Sequence, residues 1–140
     1  MTEPAGEVVG LDGQLSLDDH AKDPLTVADI AALRLAGGLA FLSACETAVT
    51  TANLANEAMH LTGAFQLAGY QHVVGTLWPV GDQASARLVR DFYAALTVPG
   101  GRTVIDVRRA AVALNHATLR LREHYPDWPT FWAGHIHTGP

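Results

Sequence analysis

The sequence predicts an α/β fold in which helices cover a mostly parallel sheet. Two apolar runs, residues 39–44 and 72–78, have the length and character of buried strands. Residues 54–67 lie between them and repeat apolar side chains at spacings of three and four, which is typical of a helix. A strand, a helix and a second strand joined by short connections indicate a parallel pair with a right-handed crossover.

A β-hairpin and a short helix are expected before the first buried strand. Val8-Val9 and residues 15–17 flank Asp12-Gly13, a dipeptide that adopts the positive φ of a tight hairpin turn. Thr26-Val-Ala-Asp29 has the Thr-x-x-acid spacing of a helix start, and Gly37-Gly38 is expected to end that helix. Its expected apolar face comprises Ile30, Leu33 and Leu35.

Two further helices and a last strand are expected in the remainder of the chain. The helix over 54–67 stops at Gly69, and apolar spacing predicts another helix over 82–96, a third over 103–121 and a strand over 130–137. The expected buried face of the 82–96 helix comprises Ala86, Val89, Phe92, Tyr93 and Leu96. The expected stripe of the 103–121 helix comprises Val104, Val107, Ala111, Leu114, Thr118 and Leu121.

The composition indicates one soluble domain that works in a reducing compartment. A length of 140 residues fits one ordinary domain, and 49% apolar against 16% charged residues predicts a well-filled core. A formal net charge of -5 argues against nucleic acid, because binding a phosphate backbone requires a basic face. A single cysteine, no signal peptide after Met1 and no apolar run long enough for a membrane span favour a cytoplasmic protein without a membrane partner.

Cys45, the only cysteine, lies at the carboxyl end of the first buried run with polar Ser43, Glu46 and Thr47 around it. Open α/β sheets gather ligands and reacting groups at the carboxyl ends of their strands. A thiol at that place is either a small buried hydrophobe or a nucleophile, and its position alone does not decide between the two. Glu46 either steers the thiol or is a solvated turn residue.

No metal or cofactor is expected. His135 and His137 alternate on the last strand and face the same side, but two histidines without an acidic or thiol partner make a poor metal site. The paired glycines of the chain lack the spacing and the Lys-Ser/Thr ending of a phosphate loop. The arginines expected to be mostly solvated are Arg108, Arg109, Arg120 and Arg122.

Two motifs resemble the C-terminal half of the CHAT domain, a family of caspase-like cysteine peptidases related in fold to separases and clostripain-type enzymes. The first is Leu42-Ser-Ala-Cys-Glu-Thr47, and the second is Val73-Val-Gly-Thr-Leu-Trp-Pro-Val80 followed by Asp82. The resemblance continues through Phe92-Tyr93, the helix around 108–111 and Phe131-Trp132. It implies a caspase-like three-layer sandwich over a single domain, residues 1–140, that lacks the N-terminal part of its sheet.

The resemblance also implies a Cys-His dyad that hydrolyses peptide bonds through a thioester, with Cys45 as the nucleophile, a protein or peptide as substrate and no cofactor. In the family the histidine lies upstream, within a His-Gly step. No His-Gly step precedes Cys45 here, and His20 lies in a polar loop that does not match. We therefore expect part of a domain from a longer parent with upstream modules, inactive alone because an unassisted thiol is a weak nucleophile at neutral pH.

Asp82 has two expected roles that are compatible with each other. In related peptidases an acidic group near this position recognises a basic side chain of the substrate, whereas the local sequence is also typical of an N-cap for a helix beginning at Gln83. The family often has a second acidic residue where Gly81 stands. The alternative function for the whole chain is a non-catalytic interaction module that meets a partner, or a second copy, through an exposed sheet edge.

Overall fold

A computed structural model describes residues 8–9, 14–16, 25–43, 51–100 and 104–140. The described residues form eight strands and five α-helices. The strands are β1 (Val8–Val9), β2 (Gln14–Ser16), β3 (Leu25–Thr26), β4 (Leu39–Phe41), β5 (His72–Thr76), β6 (Thr97–Val98), β7 (Val104–Ile105) and β8 (His135–Thr138). The helices are α1 (Val27–Ala32), α2 (Thr51–Ala68), α3 (Asp82–Leu96), α4 (Ala110–His124) and α5 (Pro129–Trp132), with a 3₁₀ turn at Val107–Arg109.

The central sheet has the order β4-β5-β8 and is mixed. β4 and β5 are parallel, with Phe41 opposite Val74, as the crossover through α2 predicts. β5 and β8 are antiparallel, with Val74 opposite His137 and Thr76 opposite His135. The expectation of a mostly parallel sheet is therefore wrong for the described strands, because the chain enters β8 from the end of the sheet at which β5 leaves it. The α/β class is confirmed.

Helices pack on both faces of this sheet, and the alternation of side chains along β5 shows how. Val74 belongs to a core cluster with Leu88 and Phe92 of α3. The neighbouring Gly75 points the other way, since a Cβ built on it would lie 2.7 Å from Cγ2 of Thr62 in α2. Successive residues of a strand face opposite sides, so α3 and α2 cover different faces.

The N-terminal elements form a small antiparallel sheet of their own. β1 and β2 pair with Val8 opposite Ser16, which confirms the expected hairpin, and β3 adds a strand that the sequence did not predict. The turn at Asp12-Gly13 lies outside the described residues. Thr26 caps α1 through the predicted capping box with Asp29.

Several helix boundaries and faces differ from expectation. α3 begins and ends where predicted, but it buries every fourth residue (Ala84, Leu88, Phe92 and Leu96) while Ala86 is exposed. α4 begins at Ala110 rather than Thr103, because the Asp106 side chain accepts a hydrogen bond from the Arg108 amide and starts a 3₁₀ turn there. α1 ends before the glycines, and both leucines that follow it are exposed.

The predicted strand over 130–137 divides into α5 and β8. Pro129 occupies the first turn of α5, where its missing N–H costs nothing and its fixed φ favours a helix. Phe131 packs edge-on against Tyr125, with ring centroids 5.0 Å apart. None of the described helices is both long and apolar enough to cross a membrane.

Replacing Gly75 by alanine is expected to destabilise the fold by about 1–3 kcal/mol through overpacking. The Thr62 methyl cannot rotate away freely, because the Thr62 hydroxyl donates a hydrogen bond of 3.0 Å to the Met59 carbonyl. Urea denaturation of Gly75→Ala measures this free energy of unfolding.

Gly63→Ala in α2 is the matched control, because a Cβ there meets nothing within 4 Å. It should stabilise the protein by about 0.5–1 kcal/mol through helix propensity. Equal effects of the two substitutions would contradict close packing of α2 on β5.

Candidate functional site

The carboxyl ends of β4 and β5 lie side by side at one end of the central sheet. Pairing continues past β4, since the amide of Leu42 donates to the carbonyl of Val74 at 2.7 Å. Ser43, the last described residue before a gap, is exposed. The residues expected to carry or surround the nucleophile, Cys45, Glu46 and Thr47, lie outside the described residues. The structure thus positions the strand that leads to the thiol.

The chain leaving β5 is anchored against α5 and the segment that joins α5 to β8. The amide of Leu77 donates to the carbonyl of Gly134 at 2.8 Å, and the indole Nε1 of Trp78 donates to the carbonyl of Thr130 at 2.8 Å. A Cβ at position 134 would lie 2.9 Å from the Trp78 indole nitrogen, so a larger residue there would have to displace that ring. These contacts fix the start of α3 at the same end of the sheet.

Asp82 is the first residue of α3, and its side chain is exposed. Gly81 occupies the N-cap position without a side-chain hydrogen bond, so the expectation that Asp82 caps a helix beginning at Gln83 is wrong. Within the described part of the chain, the Asp82 carboxylate has no hydrogen-bond or ion-pair partner. A carboxylate in the first helical turn is stabilised by the positive end of the helix dipole and stays available to a ligand.

His135 is a buried histidine at this same end of the sheet, and the sequence analysis did not assign it a role there. It lies opposite Thr76, and its ring centroid is 6.2 Å from that of Phe41. Neither ring nitrogen has a hydrogen-bond partner among the described residues, although both are buried. Burial lowers the pKa of His135 to about 4, because the apolar surroundings disfavour the charged ring.

His137 pairs with His72 rather than with His135. Nδ1 of His72 and Nε2 of His137 are 3.1 Å apart, so one ring donates a hydrogen bond to the other. Burial lowers the pKa of His137, and the neighbouring His72 lowers it further. Sequence spacing could not reveal this pair, since the residues are 65 apart and meet only through the β5–β8 register.

No cluster of three or more histidine, cysteine, aspartate or glutamate side chains within metal-binding reach occurs among the residues that the structure describes. His135 and His137 alternate on one strand, but a metal bound by both would have no third ligand among the described residues. The His72–His137 hydrogen bond accounts for the orientation of both rings.

The model of the CHAT domain family matches residues 10–140 of the chain. The chain belongs to the CHAT domain family. No curated protein and no solved structure matches it. The matched region of this CHAT domain includes both motifs, with Cys45 and Asp82, and extends over every described element except β1.

The stability of this CHAT domain should fall as the pH decreases from 6.5 to 4. An unfolded histidine has an ordinary pKa of 6.5, whereas the folded pKa of His135 is about 4, so the unfolded state binds the extra proton between these values. The stabilisation from neutral His135 is complete above pH 6.5 and is lost as the pH falls toward 4. The full effect is about 3.5 kcal/mol, from about 1.4 kcal/mol per pKa unit, and about 2–3 kcal/mol of it is lost between pH 6.5 and 4.

Urea denaturation of the wild type and of His135→Leu at pH 6.5 and at pH 4 measures this loss of stability. The wild type should lose about 2–3 kcal/mol more than the variant. His116→Gln, at an exposed position of α4, is the control and should keep the wild-type pH dependence. The same pH dependence in wild type and His135→Leu would show that His135 is not the responsible group.

Proposed function

We propose that this chain carries the nucleophile of a CHAT-type cysteine peptidase site, with Cys45 as the attacking residue. One observation carries the proposal. Leu42 and Ser43, which lead to Cys45 in the sequence, follow β4 directly at the end of the sheet where the parallel strands β4 and β5 both terminate. Reacting groups of open α/β sheets gather at such an edge. The family assignment supports the same reading, since residues 10–140 include this motif.

The proposed reaction is hydrolysis of a peptide bond through a thioester. The thiolate of Cys45 attacks the carbonyl carbon, the C–N bond breaks, and the leaving amine takes a proton. Water then attacks the thioester and releases a carboxylic acid and the thiol. Both steps require a group that accepts and returns a proton.

The general base is the missing part of this proposed site. The 140 residues contain no His-Gly step before Cys45. Of the three histidines in the central sheet, His72 and His137 bind each other at the end of β5 remote from the candidate edge. His135 lies at the candidate end, but burial lowers its pKa to about 4, which makes it a weak base. An unassisted thiol with a pKa of about 8.5 is only a few per cent thiolate at neutral pH. The chain by itself is therefore proposed to bind peptides and react slowly, without efficient turnover.

Asp82 is the proposed contact for a basic side chain of the substrate. It lies at the start of α3, at the carboxyl end of β5, with an exposed carboxylate that no described residue neutralises. A carboxylate pairs with arginine or lysine through charge-assisted hydrogen bonds. This arrangement supports a preference for substrates with a basic residue.

A second candidate function is a protein-interaction module without catalysis. In the described part of the chain, β4 lies at the edge of the central sheet and pairs only with β5. The backbone groups on its other side are thus open to pairing with a strand of another protein or of a second copy. A caspase-like fold that uses this edge would need no reactive thiol.

Covalent labelling of Cys45 separates the two functions. We expect a chloromethyl ketone peptide that ends in arginine to label Cys45 at neutral pH about tenfold faster than it labels free cysteine, because binding brings the reagent to the thiol. Mass spectrometry locates the adduct, and Cys45→Ala is the control that should abolish it. Labelling no faster than that of free cysteine would favour the interaction module.

Asp82→Asn should reduce the preference for the arginine peptide over an otherwise identical alanine peptide by about tenfold, the value of one charge-assisted pair of about 1.4 kcal/mol. Asp127→Asn, a solvent-exposed carboxylate elsewhere on the chain, is the matched control and should leave the preference unchanged. An unchanged preference in Asp82→Asn would remove Asp82 from the proposed substrate site.

A further inference from the structure

A groove between α3 and α4 gathers an unusual share of the basic side chains of this protein. It encloses about 230 Å³. We call it the arginine groove, and its polar lining consists of Arg87, Arg90, Asp91, Arg120, Glu123 and His124. The buried side chain of Leu121 also lines it.

The groove is more positively charged than the chain as a whole. Nine Lys and Arg residues occur in the whole sequence, and three of them line this one groove. Residues 25–140 hold eight acidic and eight basic residues, so this part of the chain is formally neutral. Three guanidinium groups against two carboxylates therefore make a local excess of positive charge.

Asp91 orients two of the guanidinium groups. Its Oδ1 lies 3.4 Å from Nε of Arg90, and its Oδ2 lies 3.4 Å from Nε of Arg120. The Asp91 side chain is 19% exposed, whereas those of Arg90 and Arg120 are 68% and 59% exposed. A mostly buried carboxylate thus holds two exposed guanidinium groups through their Nε atoms.

This arrangement leaves most donors of the groove unused. A guanidinium has five N–H groups in a planar fork, and the contacts with Asp91 involve only the Nε edge of each arginine. Arg87 has no ion-pair partner among the described residues. The terminal N–H groups of all three arginines can therefore donate to an added anion.

We propose that the arginine groove binds an acidic segment of another polypeptide, whose carboxylates accept hydrogen bonds from Arg87, Arg90 and Arg120. The two carboxylates already in the groove disfavour a compact dianion such as phosphate. Single carboxylates spaced along an extended chain can each meet one guanidinium. This binding is a further function and does not depend on Cys45.

Fluorescence anisotropy with a labelled peptide of about six Glu-Gly repeats tests the proposal at about 50 mM NaCl. The full chain should bind the peptide, and a peptide with Gln in place of Glu should bind at least about tenfold more weakly. Raising the salt to about 500 mM should weaken binding by about tenfold, because screening shortens the reach of the charges.

Arg87→Gln combined with Arg120→Gln should weaken binding by at least about tenfold, a loss of about 1.4 kcal/mol. Arg34→Gln combined with Arg109→Gln is the matched control, because it removes the same charge at exposed positions outside the groove. It should change the affinity by less than about twofold. Thermal unfolding of both double variants checks that the fold is intact.

Three results would overturn the proposal. They are no binding of the Glu-Gly peptide at low salt, equal weakening by the two double variants, and displacement of the peptide by inorganic phosphate at concentrations below those of the peptide itself. The last result would identify the groove as a site for a compact oxyanion.

Discussion

The complete burial of β5 is the constraint on which the rest of this structure depends. All five of its residues are buried, and each side of the strand is occupied by a neighbour in the sheet. Its backbone polar groups find partners in β4 and β8, which is the condition for placing a strand at the centre of a core. Gly75 lets α2 approach one face, and Val74 joins the core on the other.

This central strand also determines the position of the candidate site. Because β4 runs parallel to β5, the segment after β4 leaves the sheet where the chain after β5 turns toward α3. The hydrogen bonds from Leu77 and Trp78 to the segment before β8 anchor that turn. Backbone pairing alone thereby brings Ser43, the last described residue before Cys45 in the sequence, and Asp82 to one end of the sheet.

The histidines at the two ends of the sheet differ in their hydrogen-bond partners. At one end, His72 and His137 satisfy each other through a hydrogen bond. At the candidate end, His135 is buried with both nitrogens unpartnered in the described part of the protein. An unsatisfied buried polar group costs about 1–3 kcal/mol, and such costs concentrate at functional sites. Among the described residues, the unpartnered His135 lies at the end of the sheet where the family motif leaves the core.

Sequence reasoning predicted the local elements best where one residue type decides the conformation. The capping box of Thr26 and Asp29 and the stop at Gly69, whose φ is +114°, are examples. It could not predict the direction of β8, because periodicity carries no information on which end of the sheet a strand enters. The sequence also did not reveal the His72–His137 contact or the arginine groove, because each joins residues that are distant in the chain.

We propose that Cys45 is reachable from solvent at the edge of the sheet and is not activated by a base within this chain. Its alkylation by iodoacetamide as a function of pH, in the folded protein and in urea, tests both parts directly. We predict similar rates in the two states and one ionisation near the ordinary thiol pKa of about 8.5. Protection of more than about tenfold in the folded state, or an ionisation below about pH 7, would contradict the account.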